Sequence, residues 1–275
     1  MLGSEITRVA TEKGVPLVEV SRSRGIFFDA KLGDFSALAR EIGLGPEDWL
    51  VNAIGWIPQK TKNDPKKDAE DARVLNTELP SSISRSREEF GFNWIQIATD
   101  CVFSGGEGDY SEHSLMNAKD TYGISKIDGE RCSHGDIRIR CSVIGPAKDQ
   151  FGLFEWFKSE SLKGQTIPGF TNHVWNGVTS HAFAKLAVGL MATGHSASLL
   201  HHLVPNDKVS KYELLTLFGA KLGSTAQIRG TLASESVDRT LTTVQPELNE
   251  KLWRLAGYAS VPKISALVHE LPCRN

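Results

Sequence analysis

The 275-residue chain contains no apolar run approaching the roughly 18 residues that a membrane-spanning helix requires, and no charged-then-apolar leader opens it. A cytoplasmic protein with no membrane partner is expected. Cysteine is scarce. Cys101, Cys132, Cys141 and Cys273 form neither a CxxC pair nor the framework of a small secreted domain, so free thiols in a reducing compartment are expected. The histidines, His201-His202 among them, show no HExxH or comparable ligand spacing, and no metal is expected. An excess of either charge is also lacking: 31 Lys and Arg stand against 33 Asp and Glu. No global field therefore draws the chain to nucleic acid, and an anionic small ligand must be held by local basic groups. There is no internal repeat and no low-complexity tract.

The chain is 40% hydrophobic, enough for one large domain or a domain with a small lobe. Apolar spacing predicts a helix over 4–13, closed by Gly14. VPLVEV (15–20) and GIFFDA (25–30) read as strands. DFSALAREIG (34–43) reads as a helix capped by Asp34 and stopped at Gly43. WLVNAIGWI (49–57) reads as a buried strand running into a loop, 64–90 as intermittently helical, and FNWIQIA (92–98) as a strand. A helix over 120–134 and the strand DIRIRCSVIG (136–145) follow. Strands alternating with helices indicate a parallel sheet covered on both faces, a doubly wound α/β fold. After Pro146 the texture is a more irregular α/β mixture: helices over 151–164, 181–194 and 211–223, and a strand at 199–205. The expected division is 1–146 and 147–275, with about 174–205 returning to the first sheet.

The stretch TYGISK (121–126) carries the first chemical signal. On a helix Tyr122 and Lys126 share a face, about 5–6 Å apart. A cation at ~4–6 Å shifts an ionisable neighbour by ~1–3 pH units, which would bring a phenol towards acid–base work near neutrality. An ordinary solvated pair has the same spacing. Three features add to it. IATDCVFSG (97–105) ends an apolar strand with Thr99, and open parallel sheets bind ligands at such carboxyl ends. VNAIGW (51–56) ends another strand in small residues that admit a flat ligand. VPLVEV runs into SRSR (21–24), the position where a doubly wound fold reads a cofactor ribose; Arg22 and Arg24 suit a 2′-phosphate, and therefore NADP over NAD.

Together these stretches resemble the extended short-chain dehydrogenases, and within them the dTDP-4-dehydrorhamnose reductase family of sugar-nucleotide reductases. Residues 97–130, IATDCVFSGGEGDYSEHSLMNAKDTYGISKIDGE, are similar to that family's Ser/Thr-Asp-Tyr-Val-Phe, Pro-Tyr-x-Glu and Tyr-Gly-x-Ser-Lys-x-x-Gly-Glu series. FDAKLGDFSALA, VNAIGW, ARVLNTELP, IRIRCSVIGP and WNGVTSHAFAK carry weaker likeness over most of the chain. The resemblance implies a Rossmann-like fold and hydride transfer from NADPH, with NAD possible, to a keto carbon of a nucleotide-linked deoxysugar, in polysaccharide biosynthesis. It implies that Tyr122 protonates the alkoxide, that Lys126 supports it and bonds the nicotinamide ribose, and that Thr99 orients the carbonyl. Gly3, Ser21, Arg22, Asp29, Asn52, Ala53 and Asn76 would lie along the cofactor. Cys101, Val102, Trp175 and Arg239 would face the substrate, with Arg239 on the diphosphate. A homodimer is expected.

The likeness has departures. The family opens with an apolar strand and a Gly-x-x-Gly-x-x-Gly turn, whereas this sequence begins MLGSEI, with Gly3 in the place of the final glycine. Either the true start lies upstream of Met1, or the phosphate loop has been lost and cofactor binding with it. Cys101 stands where the family usually has tyrosine. Val143 stands where rhamnose-forming members carry a tryptophan, and Trp175 is either its replacement or a core residue. Two alternatives follow: an epimerase, or a non-catalytic protein on the same scaffold, like the regulatory subunit of methionine adenosyltransferase.

Overall fold

The computed structural model describes residues 1–61, 63–194 and 198–272. Cys273 lies outside them. Helix α1 (Leu2–Glu12) turns Ile6, Val9 and Ala10 inward and ends before Gly14, whose φ of 66° lies in the left-handed region. Strands β1 (Val20–Ser21) and β2 (Ile26–Phe27) pair only with each other. Helix α2 (Phe35–Glu41) is capped by the Asp34 carboxylate, which accepts from Ser36 N at 2.9 Å. Strand β3 (Trp49–Asn52) follows, then α3 (Pro65–Arg73), a π-helical turn at Val74–Glu78, and α4 (Leu79–Phe90).

Strand β4 (Asn93–Ile97), helix α5 (Thr121–Arg131) and strand β5 (Ile137–Arg140) continue the alternation. With β6 (Val143–Ile144) the chain enters a second body: α6 (Leu153–Ser161), β7 (Ile167–Phe170), β8 (His173–Trp175) and β9 (Val178–Thr179). Helix α7 (Ser180–Thr193) and strand β10 (Leu199–His202) return to the first sheet, whose order is β10-β5-β4-β3, all parallel. The rest is β11 (Val209–Ser210), α8 (Lys211–Leu222), β12 (Ile228–Thr231), β13 (Val237–Asp238), α9 (Pro246–Leu255) and α10 (Ile264–His269).

Alternate strand side chains go to opposite layers. Ile95 and Val51 pack with α1, α7 and Trp253 of α9, whereas Trp94 and Leu50 pack with α2 and α4. The sheet is therefore covered on both faces, as a doubly wound Rossmann-like fold demands. A separate core around Phe154, Phe157, Trp175, Leu214 and Phe218 holds the second body together.

Strand lengths depart from expectation in one region. VPLVEV and GIFFDA read as full strands, but the ladder takes only Val20 of the first, with Ser21 after it, and Ile26 and Phe27 of the second. Val18 is 68% and Phe27 72% exposed. A ladder lengthens only against a neighbour that satisfies its backbone, and among the described residues no strand pairs with the edge of β3 opposite β4. Helices α9 and α10 lie beyond the last element that periodicity reveals. Trp253 of α9 is fully buried and donates from Nε1 to Val204 O at 2.9 Å.

Helix α5 crosses the π-helical turn at very close range. A Cβ built on Gly129 falls 1.9 Å from Asn76 O. Gly129→Ala must push the two segments apart, and overpacking of this kind costs about 1–3 kcal/mol. A lower chemical-denaturation midpoint at unchanged slope is expected.

The far edge of the sheet buries ionisable groups. Burial depresses His202 to about 4, against the opposing pull of Glu112. Burial alone would raise Glu112, but hydrogen bonds from Thr243, His202 N and Val244 N hold it at about 2. Both folded-state values lie below the unfolded ones, so in acid the unfolded chain binds protons first. The stability they contribute is complete above about 6.5. It falls from there to about 4 through His202 and from 4.5 to about 2 through Glu112. Urea titrations at pH 7 and pH 5 are expected to show a lower midpoint at pH 5, and His202→Gln to flatten that difference.

Candidate active site

The carboxyl ends of β3, β4 and β5 carry the candidate residues. After β4 the chain turns sharply: Thr99 caps a short helical turn over 100–102, its Oγ1 accepting from Cys101 N at 3.2 Å and donating to the Asp100 carboxylate at 3.2 Å. Helix α5 starts against that turn. The Asp120 carboxylate caps it by accepting from Gly123 N at 2.9 Å. Gly123 is required there, because a Cβ would fall 2.3 Å from Ala118 Cβ and 2.6 Å from Cys101 O. This close approach sets Tyr122, in the first turn of α5, beside Thr99, whose hydroxyl is in hydrogen-bonding reach of the phenol. The Tyr122 ring lies 6.4 Å from that of Trp56. One turn on, Lys126 Nζ donates to Ile97 O at 2.9 Å.

Burial dominates the electrostatics. It raises the Tyr122 phenol above its ordinary value, the neighbouring Cys101 and Asp100 add to the rise, and Thr99 opposes it. The phenol thus holds its proton at neutral pH, the state a proton donor needs. Burial lowers the value of Lys126, whose ammonium donates to the carbonyl of β4. Burial also lifts the Cys101 thiol to about 12, with the Asp100 charge assisting. Asp100 itself is raised by burial, against the pull of Arg239 and Lys211.

The remaining sequence candidates divide. Gly3, in the first turn of α1, packs directly against Ala53, a Cβ built on it falling 3.4 Å from Ala53 Cβ, so helix N-terminus and strand end lie side by side. Asn52 is buried and fixes the turn, donating to Gln96 Oε1 at 3.0 Å and accepting from Ile54 N at 3.1 Å. Arg22 is exposed beyond β1. Ser21 and Asp29 are occupied by their own turns: Ser21 Oγ accepts from Arg24 N at 2.8 Å, and Asp29 Oδ1 from Lys31 N at 3.0 Å.

Four placements require correction or refinement. Asn76 is buried and its amide is spent on Trp56 N, Trp56 O and Ser125 Oγ, all within 3.0 Å, so it ties the turn after β3 to α5. Val102 is fully buried with Phe103, Tyr110, Ile127 and Leu241 and offers nothing to a substrate; an apolar residue inside a motif was read as a contact where packing claims it. Trp175, 5% exposed, is part of the second core and does not replace the tryptophan missing at Val143. Arg239 donates from Nε to Phe103 O at 3.0 Å, and its charge acts on Asp100.

The structure also shows what spacing does not. A groove of about 510 Å³ runs between α6, β7 and the start of α8, lined by Leu153, Trp156, Pro168, Phe170, Lys211 and Leu215, with Gln59 at its rim. The signal available beforehand was Trp156 on an amphipathic helix, where it is 41% exposed. Beside the groove, Lys60 Nζ lies 3.2 Å from Asp149, joining the turn after β3 to the loop before α6. Among the described residues no cluster of three or more His, Cys, Asp or Glu is suited to a metal ion, and no helix is long and apolar enough to cross a membrane.

Comparison with known proteins agrees with this fold. Residues 1–140 match the family model described as the RmlD substrate binding domain. A curated relative, the probable low-salt glycan biosynthesis reductase Agl14 of Haloferax volcanii, is 25% identical over 217 residues, 72% of this chain and 71% of the relative. A dTDP-4-dehydrorhamnose reductase from Clostridium acetobutylicum superposes with a TM-score of 0.76 at 14% identity, covering 98% of this chain and 94% of that one. One from Bacillus anthracis, solved in complex with NADP, gives 0.71 at 16% identity, over 89% and 88%.

Proposed function

Since the chain belongs to the RmlD substrate binding domain family, we propose that it is an NADPH-dependent reductase of a keto group on a nucleotide-linked deoxysugar. The observation that carries this is the convergence of Thr99 and Tyr122 at the carboxyl end of β4, with Lys126 one turn further along α5.

The residues present fit a dinucleotide. Gly3 and Ala53 form a narrow approach at a helix N-terminus, where backbone amides suit a diphosphate, and exposed Arg22 suits a 2′-phosphate. When bound, NADPH supplies the hydride that adds to the keto carbon. As the carbon–oxygen π pair moves to oxygen, Thr99, turning its one hydroxyl proton from the Asp100 carboxylate, holds that oxygen, and Tyr122 delivers its proton to it. The phenolate left on Tyr122 is reprotonated from solvent, and Lys126 is the cation within one helix turn that stabilises it. Burial of both residues serves this sequence: it keeps Tyr122 protonated beforehand and strengthens every charge interaction during transfer.

The test is a titration of the full-length protein with NADPH, followed by absorbance loss on addition of a dTDP-4-keto-6-deoxyhexose. Stoichiometric NADPH oxidation with a reduced sugar nucleotide as product supports the reading. Absence of NADPH binding would sink it, and binding without turnover on any keto sugar nucleotide would favour a regulatory protein on this scaffold.

A further inference from the structure

Helix α5 carries a third ionisable residue in line with Tyr122 and Lys126. Glu130 follows Lys126 by four residues, as Lys126 follows Tyr122, so the three form one stripe along the helix. Side chains on an α-helix lean towards its N-terminus. Lys126 therefore reaches towards the Tyr122 end, where its Nζ donates to Ile97 O, and Glu130 reaches back towards Lys126. Among the described residues no carboxylate pairs directly with the ammonium. Burial works against its charge; the carboxylate of Glu130 and then Cys101, in the turn after β4, oppose burial, and Arg138 of β5 assists it. The Cys101 thiol is held up to about 12 and stays neutral, so near neutrality the supporting negative charge is that of Glu130. That carboxylate, 4% exposed, is in turn held by Arg140 at 2.6 Å, with Arg138 at 3.8 Å. Arg138 is itself paired with Asp136 at 2.9 Å. Behind Arg140 stands His202 of β10, which burial depresses to about 4 and leaves uncharged.

The stability of the helix does not call for a carboxylate at this position. Helix α5 ends at Arg131, and a negative charge in the last turn opposes the macrodipole. A buried ion pair is also often matched or bettered by apolar residues of similar volume. The placement does serve the ammonium. We propose that Glu130 is a positioning residue of the reaction, whose charge keeps Lys126 a cation while Tyr122 gives up its proton. This rests on the reductase reading above, in which Lys126 stabilises the Tyr122 phenolate and can do so only while charged. Glu130 acts across one helix turn and is held by Arg140, so it takes no part in the proton transfer itself. Removing its charge lowers the pH at which Lys126 gives up its proton, and the alkaline limb of the rate moves down with it. Tyr122, raised by burial, titrates later.

The pH dependence of kcat for the full chain tests this. NMR of isotope-labelled lysine, with the Lys126 signal identified by its loss in Lys126→Met, is the readout that needs no turnover. Glu130→Gln is expected to move the alkaline limb and the Lys126 midpoint down together by about one pH unit, the low end of what a neighbouring charge does. Glu130→Asp, which keeps the charge, is expected to leave both close to the parental values. Because Glu130→Gln strands Arg140, two further variants separate charge from packing. Arg140→Met combined with Glu130→Leu strands neither charge; it is expected to keep the fold and still show the downward shift. Arg140→Met alone is expected to lose more stability and yet leave the limb in place. A limb that follows the stability of the variants rather than the presence of Glu130 overturns the proposal, as does a Lys126 midpoint indifferent to Glu130→Gln. A shifted midpoint in a protein that reduces no keto sugar nucleotide supports the coupling and removes the reductase reading alone.

Discussion

Tyr122→Phe is expected to lower kcat by about 10²–10⁴, the usual worth of a positioned general acid, with little change in NADPH affinity. The phenylalanine ring keeps the packing 6.4 Å from Trp56 and removes only the hydroxyl beside Thr99. Two readouts separate a chemical role from a structural one. The denaturation midpoint of the variant should be unchanged, because among the described residues Tyr122 Oη supports no backbone group. The residual rate should also lose any dependence on ionisation of the phenol. A Tyr122→Phe protein that turns over at the parental rate would remove this residue from the mechanism, while a variant that no longer folds would show that the hydroxyl is structural.

The largest effect on stability is expected at Arg140. Its guanidinium is 3% exposed and lies 2.6 Å from the Glu130 carboxylate, which is 4% exposed. It also lies 3.2 Å from His202 Nε2 and 5.7 Å from the centre of the Phe103 ring. Arg140→Met leaves Glu130 buried, with only the more distant Arg138 at 3.8 Å. Breaking one side of such a pair costs about 3–5 kcal/mol, a large part of the ~5–15 kcal/mol that holds a domain. The double variant Arg140→Met with Glu130→Leu is expected to recover most of the loss, since neither charge is then stranded. Guanidinium melts of the three proteins give the comparison, and a single variant as stable as the parent would mean that water reaches Glu130.

The sequence was most informative where structure is local. The Asp34 cap, the helix that carries Tyr122 and Lys126, and the glycine stops depend on neighbours within one or two turns, and the structure has them in place. It was least informative where a residue's environment comes from distant chain. VPLVEV has the composition of a strand, but pairing needs a partner that no local pattern supplies. Lys211 reads as the first residue of a well-capped helix; only the packing of α8 against α6 and β7 places its charge beside Asp100. Val102 and Asn76 belong to motifs of the site, yet one is claimed by a core and the other by the backbone of Trp56. Motif membership locates a site to within a few residues, and burial decides which of them face it.

The Lys60–Asp149 pair has a further consequence. Both partners are partly solvated, 47% and 39% exposed, and an ion pair of that kind contributes about 0–1 kcal/mol. A contact that weak does not by itself hold the two loops together, so their junction is a loose margin rather than a fastened seam. The candidate site is framed by capped helix and sheet, and its approach by this weakly joined margin. On the proposed reading, a bulky sugar nucleotide would enter past a pliant rim and come to rest against a firm floor.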